Sequence, residues 1–254
     1  MSKQLTRRAF LGTASAVPAL AVPVAGMAGP AAHPARAPNA PAATVARGAE
    51  ETPMYLFFNP QELAFIEAAC ERLIPADDIG PGALQAWVPN YLDKQLGGAW
   101  GAGERLYRSG PWQPGSPSQG YQLPFTPAEL FHTALRAIDA EFSAKPATFG
   151  ELAAEQQDAY LKELEAGGKD LGGVPSEIFF AMLLQMTVEG YFSDPVYGGN
   201  KDMAAWKMLG FPGAYANYYD AISNHGVKFE RAPMSIGEDG RGQVHPDPNI
   251  PAAL

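Results

Sequence analysis

The chain has 254 residues, of which 46% are hydrophobic and 18% charged, enough to bury a sizeable core as one domain or two small ones. Its formal net charge of −9 argues against nucleic acid and against anionic lipid as partners, since both present phosphate to the protein. A single cysteine, Cys70, excludes an internal disulfide, a CxxCH haem site and an iron–sulfur cluster ligated by this chain alone.

The amino terminus reads Thr6-Arg7-Arg8-Ala9-Phe10-Leu11, followed by an uncharged stretch to Gly29 rich in Ala, Val, Leu and Pro. Arg7 and Arg8, with Phe10 and Leu11 opening the apolar part, are the hallmarks of a twin-arginine (Tat) export signal. Pro18, Pro23, Gly12 and Gly26 make the stretch a poor membrane span. The signal is placed at residues 1–28; cleavage after Ala21 and near Ala28 both fit, whereas a cut after Ala37 would put Pro38 directly behind it. This predicts a periplasmic protein. Its loss removes Lys3, Arg7 and Arg8 and leaves the remainder more acidic still. Residues 29–53 are Pro- and Ala-rich without apolar periodicity, so they read as a linker; His33 within it is assigned no function. A folded domain with an extended carboxyl-terminal tail is expected over residues 54–254.

Within that domain one device marks helix starts. Asn59-Pro60-Gln61-Glu62, Thr126-Pro127-Ala128-Glu129 and Thr148-Phe149-Gly150-Glu151 each place a capping side chain three residues before a Glu. The first predicts a helix over 60–73, with Leu63, Ile66, Cys70 and Leu73 on one face and Cys70 acting as a small buried hydrophobe. A second helix is expected over 89–96, ended by Gly97-Gly98. Residues 99–123 hold Trp100 and Trp112 among many Gly and Pro and form a candidate contact loop. The Thr126 cap predicts a helix to Ser143 with Phe131, Leu135, Ile138 and Phe142 inward and His132 beside the stripe. The Thr148 cap predicts a helix over 151–166 carrying Leu152, Ala159, Tyr160 and Leu164 and stopped by Gly167-Gly168.

Residues 176–192 are apolar nearly all round, which predicts a central core helix too short to span a membrane. A last helix is expected from Lys201, capped by Asn200 and stopped by Gly210. No segment alternates with period two, so the fold class is all-α, with about six helices joined by long loops rich in Gly, Pro and aromatics.

Catalytic signatures are sparse. There is no GxSxG, HExxH, Walker or GxGxxG pattern, and His132, His225 and His245 are far apart with no partner at helical metal-ligand spacing. Asp77 and Asp78, followed by Gly80 and Pro81, fit a turn better than an acid/base pair, because adjacent side chains seldom converge on one substrate. His245, Asp247 and Asn249 superficially offer ligands to a cation, but two prolines favour an extended tail. The stretch "DPVYGGNKDMAAWKMLGFPG", 194–213, puts a Gly pair before a helix start, where a phosphate could be cradled. No strand precedes it and Asp194 would repel an anion, so a structural turn packed by Trp206 is the better reading.

Two motifs carry a resemblance. LIPxDDxGPG, here with Pro75, Asp77 and Asp78, and DPxYGGNxxxxxWxxxGxPG, here Asp194, Pro195, Tyr197, Gly198, Gly199, Asn200, Trp206, Gly210, Pro212 and Gly213, resemble the gluconate 2-dehydrogenase subunit 3 family over most of residues 55–222. The resemblance implies the small, signal-bearing subunit of a periplasmic, membrane-associated dehydrogenase acting on gluconate or related sugars and polyols. It implies no cofactor and no catalytic residue in this chain, FAD in a large partner subunit, a cytochrome c subunit carrying c-type haem as a third component, and the Tat translocase as the export partner. The task of this chain would be to stabilise and escort the large subunit, with Trp100, Trp112, Phe211, Tyr215, Tyr218 and Tyr219 as candidate interface anchors. The competing expectation is a stand-alone periplasmic enzyme or ligand-binding protein using Asp77, Asp78 and the 194–200 turn.

Overall fold

Two of the three capping signatures open helices where the sequence places them. In the computed structural model, which describes residues 52–113, 115–214, 222–223, 225–227 and 231–237, all within the unit Glu50–Leu254, α1 spans Pro60–Leu73 and α3 spans Pro127–Ser143. At α1 the Asn59 carboxamide accepts from the Gln61 and Glu62 amides, and Glu62 Oε2 accepts from the Asn59 amide. Thr126 and Glu129 exchange the same two bonds at α3. Each cap satisfies amides that a helix start leaves orphaned and is worth about 1 kcal/mol.

The third signature behaves differently. Thr148 and Glu151 close a single 3₁₀ turn, Phe149–Glu151, in which the Thr148 amide and hydroxyl both donate to the Glu151 carboxylate at 2.8 Å. Leu152 and Ala153 are then extended, and α4 runs Ala154–Ala166. The expected start at Glu151 is therefore three residues early. Gly150 explains it: the position lacks the helix-propagating preference that Pro127-Ala128 supplies at α3. Within α4, Tyr160 and Leu164 face inward as expected, joined by Gln157 and Leu161, whereas Ala159 is exposed.

α2 spans Val88–Leu96, α5 spans Ser176–Phe192 and α6 is a short Ala204–Leu209. Among the described residues there are six α-helices and no strands, so the chain is all-α. α5 packs against α4 and α2 and touches α1, α3 and α6, while α1 lies on α3, α2 and α4. The core between them is filled by Ile66, Leu92, Phe131, Leu164, Phe179 and Leu183, all essentially solvent-free; each such side chain contributes about 1.5–3 kcal/mol by leaving water. Phe131 and Phe179 meet edge-to-face at 5.3 Å, an arrangement that aligns ring edge with ring face.

The apolar character of α5 around its whole circumference predicts a helix buried on every side. Instead Phe179, Leu183, Met186 and Tyr191 face the core, whereas Leu184, Val188 and Phe192 are 37%, 43% and 38% exposed. Uniform apolarity erases the periodic signal that would tell which face is covered. Of the described helices, none is long and apolar enough to cross a membrane.

Candidate functional site

The motif stretch after α5 is built from its own side chains. Asp194 accepts from the Val196 amide and opens a 3₁₀ turn over Pro195–Tyr197, the geometry an Asp-Pro pair favours. Gly198 follows with φ +97°, and a Cβ there would press on Lys94 and on the Asn90 carboxamide. Gly199 has ordinary φ but abuts the Gly190 carbonyl oxygen so closely that a Cβ would overlap it. The glycine pair thus serves left-handed backbone at one position and close approach at the next.

Asn200 is completely buried. Its Nδ2 donates to the Ser193 carbonyl at 2.9 Å and its Oδ1 accepts from the Ala205 amide at 2.9 Å. Asn200 is not the N-cap of the last helix as expected: that helix begins at Ala204 after Met203, because a 3₁₀ turn over Lys201–Met203 intervenes, and Asn200 reaches its first turn only through the Ala205 amide. Among the described residues four non-glycines have positive φ: Trp87, Asn200, Asp202 and Met203. Three of them lie in this turn, at a cost of about 1–3 kcal/mol each, so the surrounding bonds must over-determine it. Asn90 supplies one more, donating from Nδ2 to the Gly198 carbonyl at 2.7 Å, and the Lys201 amide donates to Ala86. Lys201 Nζ lies 4.0 Å above the Trp87 ring, a favourable cation–π position.

Trp206 is 6% exposed, donates from Nε1 to the Phe192 carbonyl at 2.8 Å, and meets Phe211 edge-on at 5.2 Å. Gly210 ends α6 in the left-handed conformation. Beyond it the Ala214 amide donates to the Met234 carbonyl and the Met234 amide to the Pro212 carbonyl, giving Gly213 a bridge to Met234. Asp194 completes the closure by accepting from the Ser235 hydroxyl and from the Ile236 amide at 2.7 Å. Residues 234–236 therefore return to the motif turn, a contact that sequence reading missed because it joins positions some forty residues apart.

The other motif is also a turn. Asp77 Oδ1 accepts from the Ile79 and Gly80 amides, and the Tyr191 hydroxyl donates to the Pro81 carbonyl. Asp78 is exposed beside it. The two motifs are neighbours, since a Cβ on Gly80 would strike Met208 of α6, but the carboxylates of Asp77 and Asp194 are each engaged by main-chain amides. Neither motif lines the groove of about 380 Å³ between α1, α3 and the 146–151 loop, whose walls include Phe65, Ile138, Phe142 and Phe149.

Three titratable groups escaped sequence reading. Asp93 is 2% exposed and accepts from the amides of Leu56, Phe57 and Phe58 at 2.8–3.0 Å, which pins the entry segment to α2. Burial raises the carboxyl of Glu67 and the hydroxyl of nearby Tyr55. His132 pairs with Glu62 at 2.9 Å and stacks on Phe57, so its polar partner is a helix-capping carboxylate. Burial pushes the Cys70 thiol up to about 12, with Thr187 Oγ1 3.5 Å from Sγ. Among the described residues no group of three or more His, Cys, Asp or Glu is arranged to hold a metal ion.

Of the candidate anchors, Trp100, Trp112 and Phe211 are exposed, as is Tyr197 of the second motif. Tyr215, Tyr218 and Tyr219, and Arg7, Arg8, Phe10 and Leu11 of the signal, lie outside the described residues. No curated protein and no solved structure matches the chain. A family model described as gluconate 2-dehydrogenase subunit 3 matches residues 60–213, the span from the first residue of α1 to the glycine that closes the second motif. The chain therefore belongs to the gluconate 2-dehydrogenase subunit 3 family and is an accessory subunit of a dehydrogenase complex.

Proposed function

We propose that this chain is the non-catalytic small subunit of a periplasmic, FAD-dependent dehydrogenase of sugars or related alcohols, which it stabilises and escorts through the Tat pathway. The observation that supports the reading is how the family's motif residues are used. Asp194, Asn200 and Trp206 bond their polar side-chain atoms to the chain's own backbone or to Ser235, which supports a motif whose task is to hold a shape.

In this reading the flavin belongs to the large subunit, and a cytochrome c subunit with c-type haem passes electrons onward. Trp100, Trp112 and Phe211 offer exposed aromatic surface to such partners, and aromatics anchor interfaces because they bury much area with few rotatable bonds. Arg7 and Arg8 would address the assembled pair to the Tat translocase.

The test is co-expression of the full chain with its flavin-binding subunit. Replacing Arg7 and Arg8 by Lys should strand both proteins in the cytoplasm; continued export of the flavoprotein would refute the escort role. The isolated chain should be colourless and should not reduce dyes with sugars, and turnover by it alone would refute the non-catalytic assignment.

A further inference from the structure

We infer that the outward face of α5, formed by Ala181, Leu184, Val188 and Phe192 and extended by Phe211, is the seat of the flavin-binding subunit; the inference rests on the function proposed above. These α5 residues recur at three- and four-residue spacing, which places them on one side of a helix, and all four are exposed. The residues between them that point the other way, Leu183, Met186 and Gly190, are buried. Apolar side chains scattered singly on a surface carry no message, whereas a continuous stripe marks a contact.

The stripe runs into the second motif. Phe192 hands its carbonyl to the Trp206 indole, and Phe211 packs edge-on against the same ring. Trp206 thus ties the main chain at the end of α5 to the exposed Phe211 ring, and the strained turn that positions α6 fixes where Phe211 stands relative to α5. A pre-positioned aromatic side chain suits an interface because less freedom is lost on binding.

Charge identifies the occupant. α5 carries Glu177 and Glu189 and no basic residue, and both acids are exposed. A second copy laid on this face would gather four carboxylates with no base from either helix. An anionic lipid surface would be repelled by the same acids. A partner with an apolar patch rimmed by Lys or Arg fits both features, and the dehydrogenase subunit is the partner this family requires.

The experiment co-expresses the full chain with the flavin-binding subunit, captures the chain by an affinity tag and measures bound flavin by absorbance. Leu184→Gln/Val188→Gln, which keeps exposed positions helix-compatible, should reduce captured flavin about tenfold, and Val188→Arg further, which a loss of about 1.4 kcal/mol per tenfold step would give. Circular dichroism and thermal unfolding of both variants should match the unmodified chain, and Glu165→Gln on α4 should capture normally. Glu177→Lys should weaken capture at low salt more than at high salt; unchanged capture would refute the basic rim. Normal capture by both stripe variants would overturn the seat while leaving the proposed function standing. If the unmodified chain captures no flavin, the proposed function falls and the seat with it. A chain that is dimeric alone and made monomeric by Val188→Arg would assign the face to a second copy instead.

Discussion

The Trp206 indole N–H donates to the main-chain carbonyl of Phe192 at 2.8 Å, tying the last residue of α5 to the helix that follows the motif turn. The carbonyl is one of those that a helix end leaves without an intrahelical donor, and the indole that satisfies it is 6% exposed. Trp206→Phe keeps the edge-on contact with Phe211 but orphans that carbonyl. The expected cost is about 1–3 kcal/mol in chemical denaturation, with Trp206→Ala costing about 3–5 kcal/mol because a cavity is added.

Asp93 makes a second non-local tie. One carboxylate oxygen accepts from Phe57 and Phe58 and the other from Leu56. In Asp93→Asn the amide nitrogen would confront the Leu56 N–H, donor against donor, so a loss of about 2–3 kcal/mol is expected. Amide hydrogen exchange at residues 56–58 should accelerate in this variant well beyond exchange in α3, since the tie is local to the entry segment.

These two residues also show where the sequence was readable. The caps at Asn59 and Thr126 were legible because donor, acceptor and Pro lie within four positions, so local chemistry decides them. Thr148 misled because the same local pattern, interrupted by Gly150, closes one turn and no more. The Asp194 turn and the left-handed Gly198 are again local, and both motifs were read as turns. Asp93 and the return of Ser235 to Asp194 could not be read, since their partners lie 35 to 42 positions away and no local pattern announces them. The stripe on α5 was hidden for another reason: a helix apolar on both faces has no preferred direction in its sequence, and burial of one face emerges only when α2 and α4 are in place.

Cys70 has no solvent contact, and burial holds its thiol near 12, far above the range in which thiolate forms at neutral pH. The native chain should therefore resist alkylation by iodoacetamide at pH 8, reacting stoichiometrically only in denaturant. Modification at a rate near that of a free thiol would show that α1 and α5 open readily around it. Cys70→Ala should cost about 1 kcal/mol, the loss of a small apolar group from a closed site.

Glu141 sets an acid limb in the stability curve. Burial alone would raise its carboxyl, but hydrogen bonds from Lys145, Tyr160 and Lys169 outweigh burial and hold it below the ordinary range. With the folded value depressed, the unfolded chain binds more protons as pH falls, so the contribution is complete above the unfolded carboxylate value of about 4.3 and is lost as pH drops through the folded one. Glu67 has the opposite sign: burial raises its carboxyl in the fold, so that group favours folding on the acid side and opposes it as pH rises through its folded value. Glu141→Gln should thus lower stability by about 1 kcal/mol at pH 7 and converge on the unmodified chain near pH 3. Glu67→Gln should do the reverse, gaining on the unmodified chain at pH 7 and losing that advantage in acid. Urea midpoints of the three proteins at the two pH values separate these cases, and parallel shifts at both would refute the assignment of either carboxylate.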